Sequence, residues 1–263
     1  MDLGLTHKTA LITGSTAGIG FATAKTLAQE GASVYLHGRS ETGVQAAISK
    51  LKAALPQADI HGIAADASQA ADLQRLTEQL PEIDILVNNV GIYTSQPFFE
   101  TADEDWQRQF EVNVMSGVRL SRHYLPKMLK ANWGRILFIS SECATLVPAD
   151  LIAYSMTKAA LLAVSRGLAQ LTGGSEVTVN TIIPGSTFTE GAEQFLKGVA
   201  KQEGKSVAEV ETAFFQEVRT SSLLQRFAKV EEVAHTIAYF ASPLSSATNG
   251  ASIKVDGGSM GGL

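Results

Sequence analysis

Short apolar runs alternate with longer amphipathic stretches along nearly the whole chain, and this alternation constrains the fold more than any other feature. Candidate strands are Thr9–Thr13, Ser33–Leu36, Ile60–Ala64, Ile83–Val87, Arg135–Ile139, Val177–Ile183 and Ser252–Val255. Several are apolar on consecutive residues, as in Ile136-Leu137-Phe138-Ile139, the pattern of parallel strands covered on both faces. Between them the periodicity predicts helices over Ile19–Glu30, Thr42–Leu55, Gln69–Gln79, Asp103–Lys130, Leu151–Leu171 and Val230–Ala241. A βαβα rhythm of this kind predicts a doubly wound α/β fold with a mostly parallel sheet and right-handed crossovers. No linker or low-complexity stretch divides the 263 residues, so the expectation is a single domain over residues 1–263. The one irregularity follows the sixth strand, over about residues 186–226. It has helical content at Val207–Val218 and loop-like glycines at Gly191, Gly198 and Gly204, and is expected to form a substrate lid.

The formal net charge of −5 and the absence of a Lys/Arg block argue against a nucleic-acid partner. No apolar run approaches the length of a membrane span, and an acidic surface disfavours anionic membranes. The first eight residues lack the charged-then-apolar signature of a signal peptide. Cys143 is the only cysteine, which rules out an internal disulfide and fits a reducing compartment. The expectation is a cytoplasmic protein, and no metal site is expected.

The first strand runs into Thr13-Gly14-Ser15-Thr16-Ala17-Gly18-Ile19-Gly20, which opens the first helix. A glycine-rich turn at a helix N-terminus lets the backbone approach a diphosphate and offers it free N–H groups. The spacing is Gly-x3-Gly-x-Gly rather than the general Gly-x-Gly-x-x-Gly dinucleotide pattern. NAD-binding sites place a carboxylate at the end of the second strand to hold the ribose. Here that tip reads His37-Gly38-Arg39-Ser40, and the Arg39 guanidinium suits a 2′-phosphate instead. This points to NADP, with NAD as the alternative and Arg39 as an ordinary surface residue in that case.

Tyr154 and Lys158 lie one turn apart on a predicted helix, so they share a face. An ammonium beside a phenol lowers its pKa from near 10 towards neutrality. Ser141 follows the strand Arg135–Ile139, at the end of the sheet where open α/β folds bind ligands. Its hydroxyl is placed to hold a substrate oxygen as charge develops there. Asn113 is the one amide in a stripe of Trp106, Phe110, Gly117, Leu120 and Tyr124 along the predicted helix Asp103–Lys130. A buried amide must find partners: either it bonds the helix backbone, or it holds a water that links Lys158 to solvent.

Taken together these residues resemble the short-chain dehydrogenase/reductase family, and the resemblance covers nearly the whole chain. Thr13–Gly20 is similar to its cofactor loop, and Asn88-Asn89-Val90-Gly91 to its Asn-Asn-Ala-Gly motif, with Val90 in place of alanine. Asn113, Ser141, Tyr154 and Lys158 fall where the family has its catalytic tetrad. Pro184-Gly185 with Thr187 and Thr189 resembles the segment at the nicotinamide carboxamide, and Asp66 the aspartate at the adenine. The C-terminal Val255-Asp256-Gly257-Gly258 is similar to the closing strand and turn.

The resemblance implies a seven-stranded Rossmann-like sheet and a homotetramer or homodimer. It also implies cofactor contacts from Gly14, Ser15, Thr16, Gly18, Ile19, Gly20, Arg39, Asp66, Asn89, Gly91, Tyr154, Lys158, Pro184, Gly185, Thr187 and Thr189. The implied reaction passes a hydride between nicotinamide and a carbonyl or secondary alcohol. In it Ser141 holds the oxygen, Tyr154 moves the proton, Lys158 tunes the tyrosine, and Asn113 positions a water.

Two departures from the family pattern stand out. The basic residue many NADP-dependent members carry before the loop's second glycine is Ala17 here. Glu142-Cys143 follows Ser141 where small or apolar residues are expected. Glu142 either lines the pocket or faces solvent, while Cys143 reads as a passive small residue. The alternatives to an NADP-dependent carbonyl reductase are an NAD-dependent hydroxy-acid or polyol dehydrogenase, and a dinucleotide-binding sensor without turnover. The lid residues Phe188, Phe195, Leu196, Phe214, Phe215, Leu223 and Leu224 suggest an apolar pocket, or packing of the lid on the body or on a second subunit. The small residues Ala159, Ala160, Ala163 and Gly167 make a dimer through Leu151–Leu171 and Asp103–Lys130 an expectation.

Overall fold

The computed structural model describes residues 2–262. Seven strands form one parallel sheet: β1 (Thr9–Ile12), β2 (Ser33–Gly38), β3 (Ile60–Ala64), β4 (Ile85–Asn88), β5 (Gly134–Ile139), β6 (Val177–Pro184) and the last strand, Ser252–Val255. Their spatial order is β3-β2-β1-β4-β5-β6 followed by the last strand, and every pairing is parallel. The order reverses direction between β1 and β4, which opens a crevice beyond their C-terminal ends.

The continuous apolar runs are explained by burial on both sides: all six residues of β5 and all eight of β6 are buried. One apolar layer packs Leu27, Val34, Leu51, Val87, Val233 and Ile237 between the sheet, α1 (Gly18–Gln29), α2 (Glu41–Ala54) and the last helix, Val230–Ala241. The other packs Leu73, Leu86, Leu120, Tyr124, Phe138 and Leu161 against α3 (Ala70–Gln79), α5 (Ser116–Ala131) and α6 (Ile152–Gln170). Among the described residues no helix is long and apolar enough to cross a membrane.

The helix predicted over Asp103–Lys130 is broken by a π-helical turn at Glu111–Met115, between α4 (Asp103–Phe110) and α5. A π turn adds a residue and rotates everything upstream by about 100° relative to an α-helix. The expected stripe therefore holds downstream, at Gly117, Leu120 and Tyr124, and fails upstream. Gln109 is buried there and Phe110 is exposed.

The segment after β6 is more ordered than its glycines predict. A helix α7 (Glu190–Glu203) runs through Gly191 and Gly198, and Gly204 caps it. Gly198, in the helix interior, costs it about 1 kcal/mol, and Gly191 lies in the first turn. The cost is offset by the Thr189 cap, which accepts from the Ala192 N–H at 3.2 Å, and by burial of Leu196 and Ala200. With α8 (Val207–Ala213) and a second π turn, Phe214–Val218, it builds a small core of its own around Leu196, Val210, Phe215 and Phe227. Phe195 and Leu223 stay exposed. A short ladder, Thr187–Phe188 against Ala228–Lys229, ties the two ends of the excursion together.

Candidate functional site

The glycine loop turns at Gly14, whose φ of +62° favours glycine, and a Cβ there would come 2.9 Å from Val90 Cα. Asn89 braces the loop: its Nδ2 donates to the carbonyls of Thr13 at 2.9 Å and Gly14 at 3.0 Å. The Thr13 hydroxyl oxygen receives the N–H groups of Asn89 and Val90. Ser15 turns inward, donating to Ile12 O and accepting from the His37 N–H, so its side chain belongs to the frame. Gly18, Ile19 and Gly20 form the first turn of α1; its N-cap residue, Ala17, offers no side-chain cap, and the Gly18 N–H donates to Glu190 Oε2.

Beside this loop lies a cavity of about 220 Å³ lined by Gly14, Thr16, His37, Gly38, Arg39, Asp66, Ala67, Ser68, Val90, Gly91, Ile92, Arg108 and Val112. Asp66 is held below the ordinary carboxylate range, first by the Ser68 N–H, then by the Ser68 hydroxyl and the charges of Arg39 and Arg108. His37 is buried and its pKa is pushed down to about 4, so the ring is neutral at pH 7. Its Nδ1 accepts from the Gly14 N–H at 3.1 Å, fixing the loop to the end of β2. His37 and Arg108 were not singled out by sequence. His37 has a visible signal, as a polar residue ending an apolar strand, whereas Arg108 comes from a helix distant in the chain.

The second cluster lies at the C-terminal ends of β4 and β5. Ser141 caps a short turn, Glu142–Ala144, and its Oγ accepts from the Cys143 N–H at 3.2 Å. Lys158 donates from Nζ to Ile139 O at 2.9 Å and stands 5.5 Å from the Tyr154 ring centroid. A Cβ on Gly91 would lie 3.2 Å from the same Nζ. Burial lowers the Lys158 pKa to about 8. The neighbouring Ser140 hydroxyl donates to the Lys158 carbonyl, fastening α6 to β5.

Tyr154 differs from the expectation. Burial pushes its phenol above the ordinary value, and this outweighs the opposing hydrogen bond from Ser141. The phenol is therefore protonated at neutral pH. Tyr93 sits edge-on to it, with ring centroids 5.8 Å apart.

Asn113 falls inside the π turn. Its Oδ1 accepts from the Ile92 N–H at 2.8 Å, and its Nδ2 donates to Ile92 O and Thr157 Oγ1, both at 2.9 Å. The amide thus ties β4's following loop to α6. Pro184 ends β6; Thr187 Oγ1 donates to Gly185 O at 2.9 Å, and Thr189 caps α7. Glu142, left open between pocket and solvent, is buried and paired with Arg219 from the excursion at 2.8 Å. Cys143 is buried, and burial raises its pKa, consistent with a passive thiol. Nothing in the sequence around Arg219 marks it as Glu142's partner.

A parallel sheet with this strand order, a glycine loop at its crevice and a Ser–Tyr–Lys cluster beside it defines a Rossmann-like nucleotide-dependent oxidoreductase. The family model described as enoyl-(acyl carrier protein) reductase matches residues 14–260. The chain is 46 % identical over 258 residues to the uncharacterized oxidoreductase YvaG of Bacillus subtilis, covering 98 % of each. It is 34 % identical to dehydrogenase/reductase SDR family member 4 of Caenorhabditis elegans, covering 95 % of this chain and 94 % of the relative. The L-sorbose reductase of Gluconobacter frateurii, solved with NADPH and L-sorbose, superposes with a TM-score of 0.94 at 32 % identity, covering 100 % of both chains. The chain belongs to the short-chain dehydrogenase/reductase family and is an oxidoreductase of that family.

Proposed function

We propose that the chain is an NADP(H)-dependent carbonyl reductase in which Tyr154 delivers the proton. The observation that carries this reading is the grouping of Tyr154, Lys158 and Ser141 beyond the C-terminal end of β5, with Lys158 Nζ 5.5 Å from the Tyr154 ring centroid. A reduction needs an acid at the substrate oxygen, and a neutral phenol placed beside an ammonium that can stabilise the phenolate is such an acid.

The residues present fit the dinucleotide. The glycine loop lacks the Cβ atoms that would fill its cradle, and α1 turns its N-terminus to the loop, with its first N–H, at Gly18, held by Glu190 Oε2. Arg39 and Arg108 supply cations beside Asp66 in the cavity, a donor set suited to a phosphorylated ribose. The NADPH in the related L-sorbose reductase supports the same choice. When bound, the cofactor supplies the hydride.

Ser141 Oγ orients the substrate oxygen and stabilises the charge that grows on it. Tyr154 donates its phenolic proton to that oxygen. Lys158 stands beside the resulting phenolate, and its cation stabilises it. Asn113 ties the Gly91–Ile92 turn to α6 through both ends of its amide, and its Oδ1, which accepts one hydrogen bond, keeps a lone pair for the expected water. Residues 186–226 cover the site as a lid. An apolar groove of about 320 Å³ between α5 and α6, lined by Val118, Leu125, Val164 and Leu168, supports packing of a second copy there.

The test is a spectrophotometric screen of NADPH and NADH oxidation against aldehydes, ketones, quinones and acyl-thioesters. Carbonyl-dependent oxidation, faster with NADPH, is expected. Tight cofactor binding with no oxidation across the panel would return the chain to a sensor.

A further inference from the structure

Glu142 is the residue most at odds with its surroundings. It directly follows Ser141, and its side chain is only 4 % exposed. Both of its contacts fall on one oxygen: Arg219 Nε donates to Oε1 at 2.8 Å and Ser186 Oγ donates to it at 3.1 Å. The other oxygen, Oε2, is buried and has no hydrogen-bond partner among the described residues. An unpartnered carboxylate oxygen inside a protein is costly, because nothing replaces the water it has lost. Such a group persists where a later partner repays it.

Arg219 reaches Glu142 from the excursion, just beyond the π turn Phe214–Val218, whereas Glu142 belongs to the body of the sheet. A movement of the excursion that carries Arg219 away therefore breaks the pair on Oε1. The remaining Arg219 nitrogens are weakly engaged: Nη1 reaches Val218 O at 3.4 Å, and Nη2 lies 3.8 Å from Cys143 Sγ.

We propose that Glu142 and Arg219 form a hydroxyl-recognising subsite beside the reacting carbonyl, so that the enzyme prefers hydroxyketones over plain ketones. This rests on the reading of Ser141 and Tyr154 as the carbonyl-binding pair. A hydroxyl both donates and accepts, which matches an acceptor-only carboxylate oxygen next to a donor-only guanidinium. A substrate carboxylate would pair with Arg219 but be repelled by Glu142. A substrate ammonium would meet the reverse conflict. A plain ketone leaves Oε2 unpaired, and sites built to bond a hydroxyl reject analogues that lack one.

The experiment compares 2-butanone with 1-hydroxy-2-butanone and 4-hydroxy-2-butanone in NADPH oxidation by the wild type, Glu142→Met and Arg219→Met. The wild type is expected to favour at least one hydroxyketone by about 10- to 100-fold in kcat/KM. Glu142→Met is expected to shrink that ratio to within about 3-fold, because the carboxylate that pairs the hydroxyl, and that a plain ketone leaves unpaired, is gone. Absence of a preference in the wild type, or an equal loss on both ketones, overturns the subsite and leaves the carbonyl-reductase reading standing. Turnover of no carbonyl at all removes both. Thermal melting and NADPH fluorescence report whether Glu142→Met is folded. If it is not, Arg219→Met decides: it must narrow the same ratio, and an unchanged ratio overturns the proposal.

Discussion

Glu190 Oε2 accepts the backbone N–H of Gly18 at 2.9 Å, placing a carboxylate against the N-terminus of α1. That helix end is where the diphosphate of a dinucleotide is expected. Cofactor and side chain then compete for one positive site, and their like charges repel. Glu190→Gln is expected to tighten NADPH binding by about 3- to 10-fold at low ionic strength, with the gain shrinking as salt is added. Fluorescence titration of NADPH checks this, and unchanged or weaker binding would show that Glu190 swings clear.

Arg39 is exposed at the tip of β2, in the cavity with Asp66 and Arg108. If its guanidinium meets the 2′-phosphate, Arg39→Asp weakens NADPH binding by about 10- to 100-fold, the worth of one or two charge-assisted hydrogen bonds. NADH binding should change little or improve, because an acid at this tip suits a free ribose hydroxyl. Equal losses for both nucleotides would remove Arg39 from cofactor selection.

Lys158 carries a pH signature. Its pKa is about 8 in the folded protein against an ordinary 10.5. Between those values the unfolded chain keeps a proton that the folded one has released, so stability linked to this side chain rises with pH. Below about 8 the burial cost of the ammonium is present in full; above 10.5 the side chain is neutral in both states and the cost is gone. The span corresponds to about 3 kcal/mol. Urea denaturation of the cofactor-free wild type and Lys158→Met, at pH 7 and pH 10, should show the wild type gaining about 2 kcal/mol relative to the variant. A difference that does not move with pH would mean that Lys158 titrates normally.

The sheet was legible because parallel strands buried on both faces need consecutive apolar residues, and β5 and β6 supply them. The glycine loop, Ser141, Tyr154 and Lys158 were legible because motif spacing and strand ends put them near one another. What escaped depended on contacts between distant segments. The π turn at Glu111–Met115 leaves no composition signal, yet it moves Gln109 inside and Phe110 outside. Glycines at 191 and 198 read as loop because their local preference was overridden by a capped helix packing Leu196. The Glu142–Arg219 pair joins residues 77 positions apart, and no local pattern announces it. The direction of the Tyr154 shift also escaped, because spacing shows the nearby ammonium but not the depth of burial.

Tyr154→Phe tests the central claim most directly. Replacing the phenol removes one oxygen and leaves the ring packed against Tyr93, so NADPH binding is expected to stay within about 3-fold of wild type. Carbonyl-dependent NADPH oxidation is expected to fall by about 10²- to 10⁴-fold in kcat, the contribution of a positioned general acid. Wild-type turnover in this variant would contradict the assignment of Tyr154 as the proton donor.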